Sequence, residues 1–250
     1  MRFKAACLSS NAMKFIAAFC MLIDHMGFLL FPKITFFRII GRIAFPLFAF
    51  MIAEGCRYTK NKLKHFLTVG IFGILMQVGF FIFDPVTAKE QINVFVTFTL
   101  SIIMIYALEV FYFYLFDRNA KIIKKILSGA MFIALVMAVY YLSFHINFDY
   151  NFYGAMLPVF ASLLMLPKNC DIEWLKKLDN KYLHILMLGI GVALMVLPSP
   201  IKYKRFALLS LIILLFYSGK KGKLKTKYFF YIFYPLHLII LEGISMLISK

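Results

Sequence analysis

The feature that most limits how this chain can fold is a series of long apolar runs, because a helix needs about 20 mostly apolar residues to cross bilayer hydrocarbon. Such runs fall at 12–31, 35–55, 63–83, 92–116, 121–145, 152–167, 182–198, 204–218 and 228–248, separated by clusters of charge, Pro and Gly. The sixth and eighth are short for a full crossing. Of 250 residues, 63% are hydrophobic and only 16% charged, too little polar surface for a water-soluble globule. The expected fold is all-α: a polytopic integral membrane helical bundle of about nine transmembrane helices, forming a single domain over 1–250. The first run is as long as a full span and has no clean small-residue cleavage site, so it reads as a helix rather than a cleaved signal.

The chain carries 28 Lys+Arg against 11 Asp+Glu, a net charge of +17. In a soluble protein that balance would point to nucleic acid. Here topology absorbs it. With the N-terminus in the cytoplasm and alternating spans, nineteen of the 28 basic residues fall in inner segments and six in outer ones. Lys64, Lys121, Lys124, Lys125, Lys204 and Arg205, near span ends, are counted with the adjoining segments, and the remaining three, Lys14, Arg38 and Arg42, are counted within spans. Excess Lys and Arg mark the cytoplasmic side, giving an N-in, C-out arrangement with no nucleic-acid partner. Cys7, Cys20, Cys56 and Cys170 show no CxxC spacing and no His/Cys pattern, so isolated thiols and no metal are expected. The stretch SGKKGKLKTK at 218–227 lacks the GxxxxGK[ST] spacing of a phosphate loop.

Charge at bilayer depth costs at least ~2.5 kcal/mol, so ionisable residues inside spans are candidates for function. The first two spans hold Lys14, Asp24, His25, Arg38, Arg42 and Glu54, the last holds His237 and Glu242, and the fourth holds Glu109. At about 1.5 Å per residue, His25 lies about 16 Å beyond Lys14, and His237 about 14 Å beyond Tyr228. Arg38 and Arg42, spaced i,i+4, share a helical face. Asp24, His25, both arginines and His237 are therefore expected to converge where the first, second and last helices meet. Plainer roles fit some of the same residues. Arg38 and Arg42 also suit an ion pair with Asp24 that holds helices together, and His25 an interhelical hydrogen bond. Glu54, near Arg57, is as readily structural as functional. Glu109 and Glu242 read as packing residues, and His65, His145 and His184 as interfacial ones.

These residues sit in motifs that resemble the TraX family. Lys14-Phe-Ile-Ala-Ala-Phe-Cys-Met-Leu-Ile-Asp24-His25-Met-Gly27 resembles its opening motif. Arg38-Ile-Ile-Gly41-Arg42-Ile-Ala-Phe45-Pro46-Leu-Phe-Ala-Phe50, with Glu54-Gly55, resembles the second. Asn93-Val-Phe-Val-Thr97 resembles a third, and Tyr217 to Gly222 with Lys227 to His237 the C-terminal one. The resemblance runs in order from about residue 12 to 241 and is weakest over 125–205. It implies a multi-pass protein of the bacterial cytoplasmic (inner) membrane. The family's founding member N-acetylates the amino terminus of pilin, and related membrane acyltransferases carry a basic residue, ten intervening residues and a His, as Lys14 and His25 do.

By that resemblance the chain is an acetyl- or acyltransferase that uses cytoplasmic acetyl-CoA or another acyl-CoA. Its acceptor is a peptide amino terminus, a glycan or a lipid-linked sugar, reached from a lipid environment. His25 becomes the general base, with Asp24 and Arg42 beside it. Lys14, Arg38, Lys220 and Lys221 become cofactor-binding candidates, and Glu54, Tyr234 and His237 support the substrate. The chemistry agrees: a base must take the acceptor's proton, and His suits that near neutral pH. Adjacent helical residues point about 100° apart, so Asp24 need not orient His25 and can pair with the arginines instead. Two rival readings remain. One is a proton-coupled transporter using the Asp24/His25/Arg38/Arg42 cluster as a relay, although no paired Gly/Pro-broken helices appear in two matching halves. The other is a structural membrane protein in which the cluster only fixes packing.

Overall fold

Bilayer hydrocarbon offers no water to backbone amides, so a segment at membrane depth must satisfy its N–H and C=O groups internally. All nine apolar runs do so as helices. The computed structural model describes residues 7–83, 91–222 and 227–248. Arg2, Lys4, Lys89, Lys223, Lys225 and Lys250 of the orientation count lie outside them.

The helices are α1 (Ser10–Leu29), α2 (Thr35–Gly41), α3 (Ala44–Tyr58), α4 (Lys62–Phe83), α5 (Val94–Phe116) and α6 (Ile122–His145). After them come α7 (Asn151–Ser162), α8 (Glu173–Leu178), α9 (Lys181–Val196), a 3-10 helix over Lys202–Leu208, α10 (Leu209–Leu215) and α11 (Lys227–Ile248). Among the described residues, β pairing is limited to two isolated bridges, Leu8 with Tyr217 and Ile92 with Phe148. The protein is an all-α membrane bundle. Six segments are long and apolar enough to cross a membrane: Ser10–Leu29, Thr35–Tyr58, Lys62–Ile82, Val94–Phe116, Ile122–His145 and Phe229–Ile248. The expected spans at 152–167, 182–198 and 204–218 correspond to shorter helices, α7, α9 and the 3-10 helix joined to α10. Ile122, Ile126, Ile133, Met137, Tyr141 and Phe144 of α6 are exposed, as suits a surface that meets lipid rather than water.

One expected span is interrupted. The run 35–55 divides at Arg42 and Ile43 into α2 and α3. Pro46 has no N–H to give the Arg42 carbonyl four residues back, and its ring crowds that carbonyl in a continuous helix. The turn instead closes with Ile43 N–H on the Ile40 carbonyl at 3.2 Å, and Pro46 falls in the first turn of α3, where no donor is needed.

The described residues group into two compact units. The first comprises Met1–Met51 and Val192–Lys250, the second Ile52–Gly191. In the first, α1 packs against α2 and α11, and α2 packs against the 3-10 helix. Met13, Ala17, Leu47, Phe50 and Leu214 are fully buried there. The segment preceding α1 is pinned to the loop after α10: Leu8 N–H donates to Phe216 O at 3.0 Å, Ser218 N–H to Leu8 O at 2.8 Å, and Ser10 N–H to Lys220 O at 2.8 Å. Ser9 caps α1 by accepting from Ala12 N–H at 3.2 Å. Gly222, with φ +25°, approaches so closely that a Cβ there would lie 2.8 Å from Ser9 Oγ.

In the second unit α5 is the hub, packed against α4, α6 and α7. Its hydroxyls tie it to its neighbours: Thr97 donates to Asp149 O at 2.9 Å, Ser101 to Ala155 O at 2.7 Å and Tyr112 to Leu163 O at 2.9 Å. The carboxylate of Asp179, at the end of α8, clamps the far end of α3. Arg57 donates from Nη1 to Oδ1 at 2.7 Å and from Nη2 to Oδ2 at 2.9 Å. His184 Nε2 lies 3.0 Å from Oδ1, and Leu166 N–H donates to Oδ2 at 3.2 Å. Burial pushes the Asp179 carboxyl up, but the hydrogen bonds with His184 and Arg57 outweigh it and bring the group down to about 2. A depressed carboxylate contributes stability that is present above its unfolded value and lost as the folded group protonates. The melting temperature of the detergent-solubilised protein should therefore fall as pH drops from 3.8 towards about 2. Asp179→Asn should lower the melting temperature near neutral pH and flatten that acid limb.

Candidate functional site

A carboxylate at membrane depth needs a cation partner, and Asp24 on α1 has two. Its Oδ2 accepts from Arg38 Nη1 at 2.9 Å and from Arg42 Nη2. Arg38 Nη1 also donates to the Asp24 backbone oxygen at 3.1 Å. The approach of α2 to α1 that brings both guanidiniums to one oxygen depends on Gly41, where any Cβ would overlap the Asp24 carboxylate. Gly27 serves the same contact from α1, since a Cβ there would fall 2.5 Å from Phe37 Cβ. Aromatic faces complete the surroundings of the cations. The Arg38 guanidinium lies 5.4 Å from the Phe28 ring centroid and that of Arg42 6.0 Å from Tyr203 on the 3-10 helix, within cation–π range. Arg42 is buried. Two guanidiniums share one carboxylate oxygen.

His25, the next residue, turns about 100° around α1 and meets α11 instead of α2. Its Nδ1 lies 3.0 Å from Nε2 of His237. His237 is 4% exposed, and its Nδ1 is 2.8 Å from the Phe233 carbonyl oxygen one turn earlier. The Phe233 ring stacks on that imidazole at 4.9 Å and 12°, and Tyr234, also buried, meets it edge-on at 5.7 Å. One turn of α1 thus presents an acid to one neighbouring helix and an imidazole to another.

At the start of α1, Lys14 faces Lys221 of the loop pinned to that helix. Among the described residues no carboxylate pairs with either lysine. Lys220 supplies its backbone oxygen to Ser10 while its side chain is exposed. Glu54 falls in the second unit, where it faces Arg57. Of the sequence-derived candidates, the structure brings Asp24 to Arg38 and Arg42, His25 to His237 and Tyr234, and Lys14 to Lys221. Sequence reading missed Gly41, Tyr203, Phe28 and Phe233. Gly41 carried a signal, lying between the two arginines, but Tyr203 carried none. Glu109, read as a packing residue, pairs with Lys62 between α4 and α5, and His184, read as interfacial, joins the Asp179 clamp. Among the described residues no group of three or more His, Cys, Asp or Glu side chains converges to hold a metal.

These clustered residues lie in a chain whose residues 9–245 match the family model described as TraX protein. The chain belongs to the TraX family. Two relatives are similar to it. The uncharacterized protein RP591 of Rickettsia prowazekii is 31% identical over 133 residues, 53% of this chain and 47% of the relative, so the match spans about half of each. The probable fimbrial assembly protein FimC, serogroup H1, of Dichelobacter nodosus is 25% identical over 96% of this chain and 97% of its own. No solved structure matches. In this TraX protein the ion-pair cluster is also a structural joint. Removing one partner of a buried ion pair costs about 3–5 kcal/mol, so Asp24→Ala should lower the melting temperature far more than Lys221→Ala. Gly41→Ala should cost about 1–3 kcal/mol by overpacking, read by the same thermal unfolding assay.

Proposed function

We propose that this membrane protein transfers an acetyl or other acyl group from cytoplasmic acyl-CoA to an amine or hydroxyl of an acceptor, with His25 as general base. The observation that carries the reading is His25 hydrogen-bonded to His237 on one side of α1, with Arg38 and Arg42 held by Asp24 on the other. A proton acceptor with guanidinium groups held beside the same turn of α1 suits acyl transfer. His25 takes the proton of the attacking amine or hydroxyl as its lone pair bonds to the thioester carbonyl carbon. Arg38 or Arg42 stabilises the oxygen that gains negative charge. The carbon–sulfur bond then breaks, and His25 returns the proton to the departing thiolate.

The coenzyme's phosphates need cations outside that centre. Lys14, Lys220 and Lys221 gather at the N-terminal end of α1, where the helix dipole also favours an anion. The distance from Lys14 to His25 along α1 is about 16 Å, which the pantetheine arm bridges between phosphate and thioester. With the N-terminus in the cytoplasm, that end of α1 faces the cytoplasmic pool of acyl-CoA and the protein sits in the inner membrane. His237 and Tyr234 support the base from behind, His237 bonded to His25 and Tyr234 edge-on to His237. For the acceptor, a pilin-like peptide amino terminus is favoured, because the founding TraX member modifies pilin and a relative aligned over nearly its whole length is named for fimbrial assembly.

The test is transfer itself. Purified protein in nanodiscs, given labelled acetyl-CoA and membrane extract, should pass label to a membrane acceptor. His25→Ala should lose roughly 10²–10⁴-fold in rate, the range for a general base, while keeping its melting temperature and its affinity for acetyl-CoA. Arg42→Ala should lose transfer as well. Wild-type protein that neither binds acetyl-CoA nor transfers label would sink the reading, and a proton-driven uptake signal in proteoliposomes would favour a transporter.

A further inference from the structure

The imidazole pair fixes more than proximity. Nδ1 of His237 lies 2.8 Å from a carbonyl oxygen, and a carbonyl only accepts, so that nitrogen carries a proton. In a neutral imidazole the second nitrogen then has no hydrogen and is itself an acceptor. That nitrogen, Nε2, is the atom 3.0 Å from Nδ1 of His25. Nδ1 of His25 must therefore donate, which leaves Nε2 of His25 with its lone pair. Donors and acceptors run in one direction, from His25 through His237 to the backbone of α11.

Asp24, the sequence neighbour, does not do this for His25. Its Oδ2 is held by Arg38 and Arg42, and its bonds run to those guanidiniums rather than to the imidazole. The Met21 carbonyl, one turn before His25, also bonds the His25 ring, so its influence has to be separated from that of His237.

We propose that His237 is the positioning residue of His25: it holds His25 in the Nδ1–H tautomer and leaves Nε2 as the nitrogen that meets the acceptor. The proposal rests on the reading of His25 as base and goes beyond it by naming the reactive atom and what fixes it. When Nε2 takes the acceptor's proton, His25 becomes an imidazolium, and its Nδ1–H bond to His237 becomes charge-assisted and stronger. His237 thereby supports the positive charge at the moment it forms. When the proton passes to the thiolate, the pair returns to its starting arrangement. His237 touches no reacting atom. Its hold depends in turn on Phe233, which supplies both the carbonyl that fixes its tautomer and the ring stacked on its face.

The tautomer is directly measurable. Full-length protein labelled with ¹⁵N-histidine in nanodiscs gives multiple-bond proton–nitrogen spectra that report which nitrogen is protonated, with His25→Asn assigning the His25 signals. Wild-type protein should show Nδ1–H at His25. His237→Phe, which removes the acceptor, should replace it with a tautomer mixture and lower kcat roughly 10²-fold with KM for acetyl-CoA little changed. His237→Gln, whose amide oxygen accepts, should restore the Nδ1–H form and most of the rate. Should the Phe variant fail to fold, the Gln variant and His237→Leu carry the comparison. Nε2–H in the wild type, or an unchanged Nδ1–H signal without an acceptor at 237, overturns the proposal and leaves Met21 as the determinant. A fully active His25→Ala protein overturns the base reading instead, whatever the spectra show.

Discussion

Asp24 cannot stand alone at the depth where α1 carries it, and much of the first unit is arranged around that requirement. A lone carboxylate there would protonate or be driven towards water. Two guanidiniums prevent both. To reach one oxygen they must come from a helix seated directly on α1, which requires Gly41 and Gly27 at the crossing. Pro46 separately ends α2 at Gly41, directly before Arg42. The aromatic rings of Phe28 and Tyr203 lie against the arginines. One ionic constraint thus accounts for the two glycines at the crossing, with Tyr203 of the 3-10 helix lying against Arg42.

Much of this was legible before any coordinates. Apolar run length gave the helices, because hydrocarbon leaves a backbone few alternatives. Depth counting and helical spacing put Asp24, His25, the arginines and His237 in one region, but that His25 meets His237 came only from the structure. The angular argument also held: neighbours 100° apart went to different partners. The break after Gly41 was readable in Pro46, four residues past Arg42, but a run of uniform hydropathy hid it. The Arg57–Asp179 clamp was not legible, since its partners are 122 residues apart and Asp179 sits in a polar loop with no periodicity. Short helices such as α7 and α10 were flagged by length alone, which sets a limit on crossing but does not give a path.

The two halves of the α1 turn differ in what they can do. The arginine cluster is rigid in charge, because guanidinium does not titrate at any pH a cell sees. The imidazole pair is fixed by a contact, Nε2 of His237 lying 3.0 Å from Nδ1 of His25. About 100° apart on α1, the two groups meet different helices, so one turn carries an ionic joint and an imidazole pair on neighbouring faces.

His25 and His237 are separated by 212 residues, and that distance has a consequence for the making of the protein. Asp24, Arg38 and Arg42 all leave the ribosome within the first fifth of the chain, so their joint can form while most of the helices are still to be synthesised. The imidazole pair has to wait for α11. During synthesis the molecule therefore passes through a long interval in which its charge cluster can be built while His25 lacks His237, and the two imidazoles meet only as the last helix enters the membrane.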